Sequence, residues 1–208
     1  MKYDKYKYIY LPRPEKKIAP ASLSKFDNGT YLGQPKLNGS AMLVFTNGED
    51  VILMNRHKEK INHKLDLDEI KSLHRGEGWM VLCGEYMNKN KKDENNKPWN
   101  IKFVIFDILV YNNNHMLRSS FEFRYELLKE IYPDNPTKIL LHQITENCFR
   151  VESVYNNFAK IYKTITDFDM YEGFVFKMRK GPLENGVTKQ NNTRTQLKCR
   201  KPTKNYAF

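Results

Sequence analysis

Residues 41–54, AMLVFTNGEDVILM, place two runs of branched and aromatic side chains on either side of Asn47-Gly48. An Asn-Gly pair between two such runs is a strong signal for a tight hairpin, because both residues accept the positive φ angles of the turn. The stretch therefore predicts a pair of antiparallel strands, and similar segments surround it.

Strand-like segments recur along the chain, and amphipathic segments interrupt them. The predicted strands are 41–46, 51–54, 79–87, 101–111, 138–144, 173–178 and 195–200. The predicted helices are 66–74, 120–131 and 151–165. The polar segments 88–100 and 180–194 are predicted loops. This pattern is typical of an α+β domain with mixed, largely antiparallel sheets flanked by helices.

The first thirty residues differ from the rest of the chain. Pro12, Pro14 and Pro20 predict an irregular lead-in over residues 1–30, followed by one domain over residues 31–208. A chain of 208 residues is long enough for such a domain to bury a substantial core.

Composition narrows the class of partner. No stretch approaches the roughly 18 uninterrupted apolar residues of a membrane span, and no export signal is visible at the start. Three cysteines at unrelated spacings favour a reducing compartment over a disulfide or zinc framework. The formal net charge of +11 favours a polyanionic partner, nucleic acid first, although a generic basic surface has the same composition.

Six blocks carry the chemical information, and their order matters more than any one of them. They are 34–40 (QPKLNGS), 55–57 (NRH), 84–85 (GE), 103–109 (FVIFDIL), 172–177 (EGFVFK) and 197–201 (LKCRK). This series resembles the covalent nucleotidyltransferase superfamily of DNA ligases, RNA ligases and messenger-RNA capping enzymes. The resemblance covers residues 34–201 and implies a ligase-type adenylation domain that uses ATP and Mg²⁺ or Mn²⁺.

The resemblance also implies roles for single residues. Lys36 would attack the α-phosphate of ATP and carry the AMP, next to Gln34 and Pro35 in the same nucleotide-binding block. Arg56 and Glu85 would hold the ribose, Phe106 would stack on adenine, and Glu172 would associate with the metal. The cations that hold the phosphates would be Lys177, Lys198 and Arg200.

These roles suit the residue types. A lysine attacks phosphorus only when unprotonated, so neighbouring cations that disfavour the ammonium form would help Lys36. Carboxylate oxygens suit hard Mg²⁺. Core packing is an equally good reading of Phe106, and a lysine before a turn is usually a solvated surface residue.

The chain departs from the family pattern at several places. Position 38 is Asn where most DNA ligases and capping enzymes have Asp, so any role that needs an anion there is in doubt. Ala41 stands where many DNA ligases have Arg, and Arg200 replaces the commoner Lys. Only seven residues follow the last block, so we expect no OB-fold domain, with a helper protein or the basic surface supplying its functions.

The sequence favours an ATP-dependent polynucleotide ligase that seals DNA ends or nicks in repair or replication. Arg56, the FDIL strand and segment 119–128, which resembles an arginine-containing helix of DNA ligases, favour DNA over RNA. An RNA ligase is the close alternative; a GTP-using capping guanylyltransferase and a catalytically decayed nucleic-acid-binding protein are the others. Compact size and Lys-Asn bias suggest a phage or viral origin and a cytoplasmic location, in the host if viral.

Overall fold

The computed structural model describes residues 10–184 and 192–202. Their strands are β1 (Arg13–Lys17), β2 (Tyr31–Leu37), β3 (Ser40–Thr46), β4 (Val51–Asn55), β5 (Met80–Met87), β6 (Lys102–Tyr111), β7 (Asn114–His115), β8 (Pro136–Lys138), β9 (Leu141–Gln143), β10 (Cys148–Val151), β11 (Tyr171–Met178) and β12 (Asn192–Arg200). The helices are a 3-10 helix (Pro20–Phe26), α1 (Leu67–Lys71), α2 (Phe121–Ile131) and α3 (Phe158–Thr166).

The strands form two sheets. The four-stranded sheet has the order β1-β12-β11-β2, and the eight-stranded sheet has the order β4-β3-β5-β6-β10-β9-β8 with β7 paired to β6. Among the described strands, β1 with β12 and β6 with β10 pair in parallel, and the other pairs are antiparallel. The predicted mixed, largely antiparallel α+β fold is confirmed.

The β3–β4 hairpin forms at the predicted place. The side-chain oxygen of Asn47 accepts from the backbone N–H groups of Glu49 and Asp50, and Gly48 has a φ angle of +92°. Only a residue without a Cβ adopts this angle readily, so the turn depends on the glycine.

The helix α2 also begins where its sequence predicts. The Ser120 hydroxyl accepts from the backbone N–H of Phe123 at 3.2 Å and caps the first turn. The prediction of one helix over 151–165 was wrong in its first half: Val151 belongs to β10, and Val154 exchanges two backbone hydrogen bonds with Gly33. The three- and four-residue spacing continued by coincidence across a strand and a bridge before the true helix begins at Phe158.

Other boundaries differ from the prediction as well. The lead-in over residues 1–30 contains β1 and the 3-10 helix, so it is not irregular throughout. The segment 138–144 is divided between β8 and β9, with Leu140 at a φ of +59° between them. In the predicted loop 180–194, residues 192–194 belong to β12, and residues 185–191 lie outside the described part of the chain.

The four-stranded sheet has two faces with different neighbours. Phe174 and Phe176 pack against Phe158 of α3, with ring centroids 6.4 and 4.9 Å apart. The other face is turned toward β6 of the large sheet, since Gln34 and Lys177 both donate to the carbonyl of Phe106. No helix in the described ranges is long and apolar enough to cross a membrane.

Candidate active site

Strand register places five of the predicted functional residues on one face of the four-stranded sheet: Gln34, Lys36, Lys177, Lys198 and Arg200. Paired residues on neighbouring strands point to the same side, as do residues two apart on one strand. The cross-strand rows on this face are Leu32–Lys177–Gln196, Gln34–Val175–Lys198 and Lys36–Gly173–Arg200. Residues from three distant blocks of sequence thus come together, and we call this side of the sheet the reaction face.

Lys36 lies at the end of β2 and contacts Glu172. Its Nζ is 2.7 Å from Glu172 Oε2, and the two side chains are only 18% and 22% exposed. Arg200 Nη2 approaches the same oxygen at 3.2 Å. Glu172 is the extra residue of a bulge between Tyr171 and Gly173, and such a bulge can redirect a side chain. One carboxylate is therefore shared by two cations at the centre of the reaction face.

Glu85 approaches the turn that follows Lys36. Its Oε1 accepts from the backbone N–H of Gly39 at 3.1 Å. Burial raises the pKa of the Glu85 carboxyl above its usual range; Lys36 opposes this shift and Glu172 adds to it. A Cβ at position 39 would lie 2.4 Å from the carbonyl oxygen of Tyr86, so only glycine allows this close approach. The turn and the carboxylate are thus fixed together.

Asn38 gives the departure from the family pattern a structural reason. When its amide is turned so that nitrogen faces an acceptor and oxygen a donor, it donates to Glu172 Oε1 at 3.1 Å. In that orientation it accepts from Lys91 Nζ, also at 3.1 Å. An aspartate could make the second contact but would place a like charge against Glu172. The amide therefore links the Glu172 carboxylate to a lysine of the 88–100 loop.

Lys198 belongs to the same cluster of cations. Burial lowers its pKa, and the charges of Arg200, Arg13, Lys17 and Lys36 lower it further. The ammonium donates to the carbonyl of Pro14 at 3.2 Å, which ties β12 to β1. Lys198 thus lies within electrostatic range of both Arg200 and Lys36.

Lys177 differs from the predicted arrangement. It lies on the reaction face but is 3% exposed, donates to the Phe106 carbonyl at 3.1 Å and is 3.6 Å from Asp107 Oδ2. Burial lowers its pKa to about 8, although Asp107 opposes the shift. The structure thus places the Lys177 ammonium at the junction between the sheets, in contact with Phe106 and Asp107.

Gln34 and Phe106 meet at this junction. The Gln34 amide nitrogen donates to the Phe106 carbonyl at 3.2 Å and to the Ser153 hydroxyl at 3.1 Å. These two contacts fix the orientation of the amide, and its buried oxygen has no hydrogen-bond partner among the described residues. The Phe106 ring is half-buried, with Lys177 Nζ 4.8 Å from its centroid, so it is not simply part of the core.

Two predicted nucleotide ligands are placed elsewhere. Pro35 pairs with Phe174 and points to the α3 side, so only its backbone faces the site. Arg56 is exposed in the turn after β4, where its Nε lies 3.0 Å from His57 Nε2. Strand pairing places Arg56 near the end of the large sheet that carries Glu85, because Ala41 pairs with Glu85 and its neighbour Met42 pairs with Asn55. No contact joins Arg56 to Lys36 or Glu85 within the described residues.

A buried ion pair supports the junction and had no role assigned from sequence. Arg124 of α2 donates to both carboxylate oxygens of Asp107, at 2.8 and 3.1 Å, and each side chain is 2% exposed. The two charges of Arg124 and Lys177 outweigh the effect of burial and lower the pKa of Asp107. Charged residues in the apolar FDIL and SSFEFR segments were the available signal, since a buried charge needs a partner.

Comparison with known proteins identifies the family of the domain. A family model described as an ATP dependent DNA ligase domain matches residues 15–194. Mycobacterial DNA ligase D complexed with ATP and MES is 15% identical over 96% of this chain and 62% of that chain, with a TM-score of 0.63. The ligase domain of LigD from M. tuberculosis is 14% identical over 95% and 60% of the two chains, with a TM-score of 0.62.

A further solved structure is from a study of Lig E DNA ligases that concerns DNA binding with a minimal scaffold. It is 16% identical over 92% of this chain and 68% of that chain, with a TM-score of 0.55. No curated protein matches the chain by sequence. The chain spans about three fifths of the length of the ligase D structures.

Proposed function

The chain belongs to the ATP-dependent DNA ligase domain family, and on that premise we propose that it seals DNA through a covalent lysyl-AMP intermediate. The observation that carries the proposal is the Lys36 amine, held 2.7 Å from Glu172 on the face that also bears Lys198 and Arg200. A nucleophile surrounded by cations suits attack on a phosphate that carries several negative charges.

The first step transfers AMP to the enzyme. Lys36 loses a proton and its Nζ attacks the α-phosphorus of ATP, forming an N–P bond while the bond to the bridging oxygen breaks and pyrophosphate leaves. The ammonium form that pairs with Glu172 has no lone pair, so its proton has to pass to water before Nζ can attack. Lys198 and Arg200, on the same face, can hold the phosphates of ATP while Lys36 exchanges its carboxylate partner for the α-phosphorus.

The later steps use the same centre. An oxygen of a 5′-phosphate end attacks the phosphorus of the adduct, the N–P bond breaks and the lysine is released. A 3′-hydroxyl then loses its proton and attacks the 5′-phosphate, and AMP leaves as the phosphodiester forms. In each step Arg200 and Lys198 stabilise the charge that develops on the phosphoryl oxygens.

The acidic residues fit a divalent metal ion. Glu85 and Glu172 would supply carboxylate oxygens, the ligands that Mg²⁺ and Mn²⁺ prefer, and the charge of Glu172 acts on Glu85. Bound there, the ion would offset negative charge on the phosphates. Glu172, already shared by Lys36 and Arg200, is the residue we expect to exchange a cationic partner for the metal.

Gln34 supports ATP over GTP as the substrate. Its amide nitrogen is committed to Phe106 and Ser153, which leaves the oxygen as an acceptor on the reaction face. The exocyclic amino group of adenine can donate to that oxygen, whereas the carbonyl of guanine at the corresponding position cannot. A capping-type guanylyltransferase is less favoured for this reason.

DNA is the favoured polymer because the matching family model is that of DNA ligases. RNA ligase is the second candidate, and Asn38 is the observation that favours it, since some RNA-repair ligases resemble this chain in lacking an aspartate there. A cytoplasmic location is part of the proposal, and three free, buried cysteines accord with a reducing compartment.

The proposal is tested by intact mass spectrometry of the protein after incubation with ATP or GTP and magnesium or manganese. We expect the mass of one AMP to be added to the wild type and not to Lys36→Ala, with Lys163→Ala of α3 as a matched control that still forms the adduct. Sealing of nicked DNA is then compared with sealing of nicked RNA. An adduct in Lys36→Ala, or none in the wild type across metals and pH, would contradict the mechanism.

A further inference from the structure

The edge strand β1 continues the positive charge of the reaction face. Its sequence RPEKK has three cations in five residues, and Arg13, Lys16 and Lys17 are exposed. Lys17 pairs with Lys198, which lies in the row of Gln34 and therefore on the side of Lys36. The strip of cations that begins at Lys36 thus extends to the edge of the sheet.

The cations of the strip lie close enough together for their charges to interact. The charges of Arg13 and Lys17 both act on Lys198, together with those of Arg200 and Lys36, so these four cations lie within electrostatic range of Lys198. The ammonium of Lys198 donates to the Pro14 carbonyl and fixes β1 beside β12.

The acidic side chain of β1 does not interrupt this strip. Glu15 lies at an irregularity in the pairing of β1 with β12, and its carboxylate is 3.7 Å from Arg194 Nε. Arg194 therefore offsets part of the negative charge of Glu15.

Distances across the sheet distinguish two anions that could bind these cations, the triphosphate of ATP and the backbone of a DNA strand. Neighbouring strands lie about 4.8 Å apart, so three steps place β1 about 14 Å from β2. A triphosphate whose α-phosphorus is at Lys36 reaches Arg200 and Lys198 on β12 before it reaches β1. From Arg13 to Lys17 the strand extends about 13 Å, which is long enough to contact more than one backbone phosphate of a DNA strand.

We propose that Arg13 and Lys17 of β1 bind backbone phosphates of the nucleic-acid strand whose end is adenylated at Lys36. The inference rests on the proposed ligase function and adds to it the surface that grips the polymer. Because the contacts are to phosphates, they contribute affinity and register without reading the base sequence.

The experiment compares two double variants that remove the same charge. Arg13→Ala/Lys17→Ala removes the edge of the strip, and Lys160→Ala/Lys163→Ala removes two exposed cations of α3, on the opposite face of the same sheet. Binding of a labelled nicked duplex is measured by fluorescence anisotropy over a range of salt concentrations. Adduct formation with ATP is measured on the same preparations by intact mass, and circular dichroism checks that each variant is folded.

We expect the β1 variant to bind the duplex several-fold more weakly, with the slope of log affinity against log salt reduced by about 1.8, or about 0.9 for each lost phosphate contact. The α3 variant should keep the wild-type slope, and all three proteins should form the adduct. Arg13→Gln/Lys17→Gln, which keeps longer side chains, should behave as the alanine pair does.

Each other outcome has a defined meaning. A wild-type slope in the β1 variant, or an equal loss in the α3 variant, would overturn the assignment. Loss of the adduct in a folded β1 variant with normal duplex binding would assign the strip to ATP and also overturn it. If the wild type forms no adduct, the ligase mechanism fails, while the salt slopes still decide whether β1 binds nucleic acid.

Discussion

Replacing Arg124 with methionine should destabilise the fold more than any change to an exposed ion pair. The guanidinium makes two hydrogen bonds to Asp107 and one to the Ser119 carbonyl at 2.7 Å, and the side chain is 2% exposed. Methionine preserves apolar packing but leaves the Asp107 carboxylate buried, with Lys177 at 3.6 Å as a cation and the Ile108 N–H at 2.9 Å as a donor.

The structure allows the size of the loss to be bounded. Removing one partner of a buried ion pair costs about 3–5 kcal/mol, because the remaining charge loses its compensation. Lys177 compensates in part, so we expect a loss near 3 kcal/mol. For a chain of 208 residues, this corresponds to a decrease in Tm of about 6–12 °C.

Urea and thermal unfolding, followed by circular dichroism, measure the effect. Arg179→Met is the matched control, since Arg179 pairs with Glu122 at 2.5 Å but the two side chains are 35% and 30% exposed. Solvent screens that pair, and its removal should change Tm little. If Arg124→Met and Arg179→Met melted within experimental error of each other, the buried pair would not support the junction as argued.

Three further changes test individual parts of the site. Lys177→Met removes an ammonium whose pKa is lowered by burial from 10.5 to about 8. Between about pH 8 and pH 10.5 the folded wild type has lost this proton while the unfolded chain still holds it. The free energy of unfolding of the wild type, measured by urea titration, should therefore rise relative to that of the variant over this range. Glu85→Gln removes a carboxyl whose pKa is raised from 4.5 by burial. The free energy of unfolding of the wild type should therefore fall relative to that of the variant as the pH rises through 4.5 toward the folded-state pKa. Adduct formation should fall in the variant. If the difference in free energy of unfolding between the wild type and either variant did not change with pH, the pKa shift assigned to that residue would be contradicted. Gly39→Ala places a methyl group within 2.4 Å of the Tyr86 carbonyl oxygen. We expect the free energy of unfolding in urea to fall by about 1–3 kcal/mol, and little or no adduct to be detected by mass spectrometry. Normal adduct formation would show that the turn can move freely.

Local signals account for the parts of the fold that the sequence predicted well. The Asn47-Gly48 turn and the Ser120 cap each depend on residues within a few positions, and both are present in the structure. Long strands such as β5 and β6 are recognisable because their apolar runs are continuous. The order of the motif blocks also sufficed to identify the family, since it requires no knowledge of contacts.

Long-range pairing explains the elements that were missed. The strand β1 is polar and proline-containing, and it is a strand only because β12, about 180 positions later, pairs with it. Val151, the last residue of β10, was assigned to a helix because the spacing of apolar residues there is ambiguous, and the pairing of β10 with β6 and β9 makes it a strand.

The sequence by itself determined the class of the domain and the identity of the nucleophile we propose. Turns, strands and motifs are each recognised from residues close together in the sequence, and the order of the motifs is read along the chain. Only the tertiary structure decided which side chains share a face: register puts Lys198 and Arg200 beside Lys36, turns Pro35 away and commits Lys177 to Phe106 and Asp107. A shift of one residue reverses the direction of every side chain in a strand, and the pairing that fixes the register involves residues far apart in the chain.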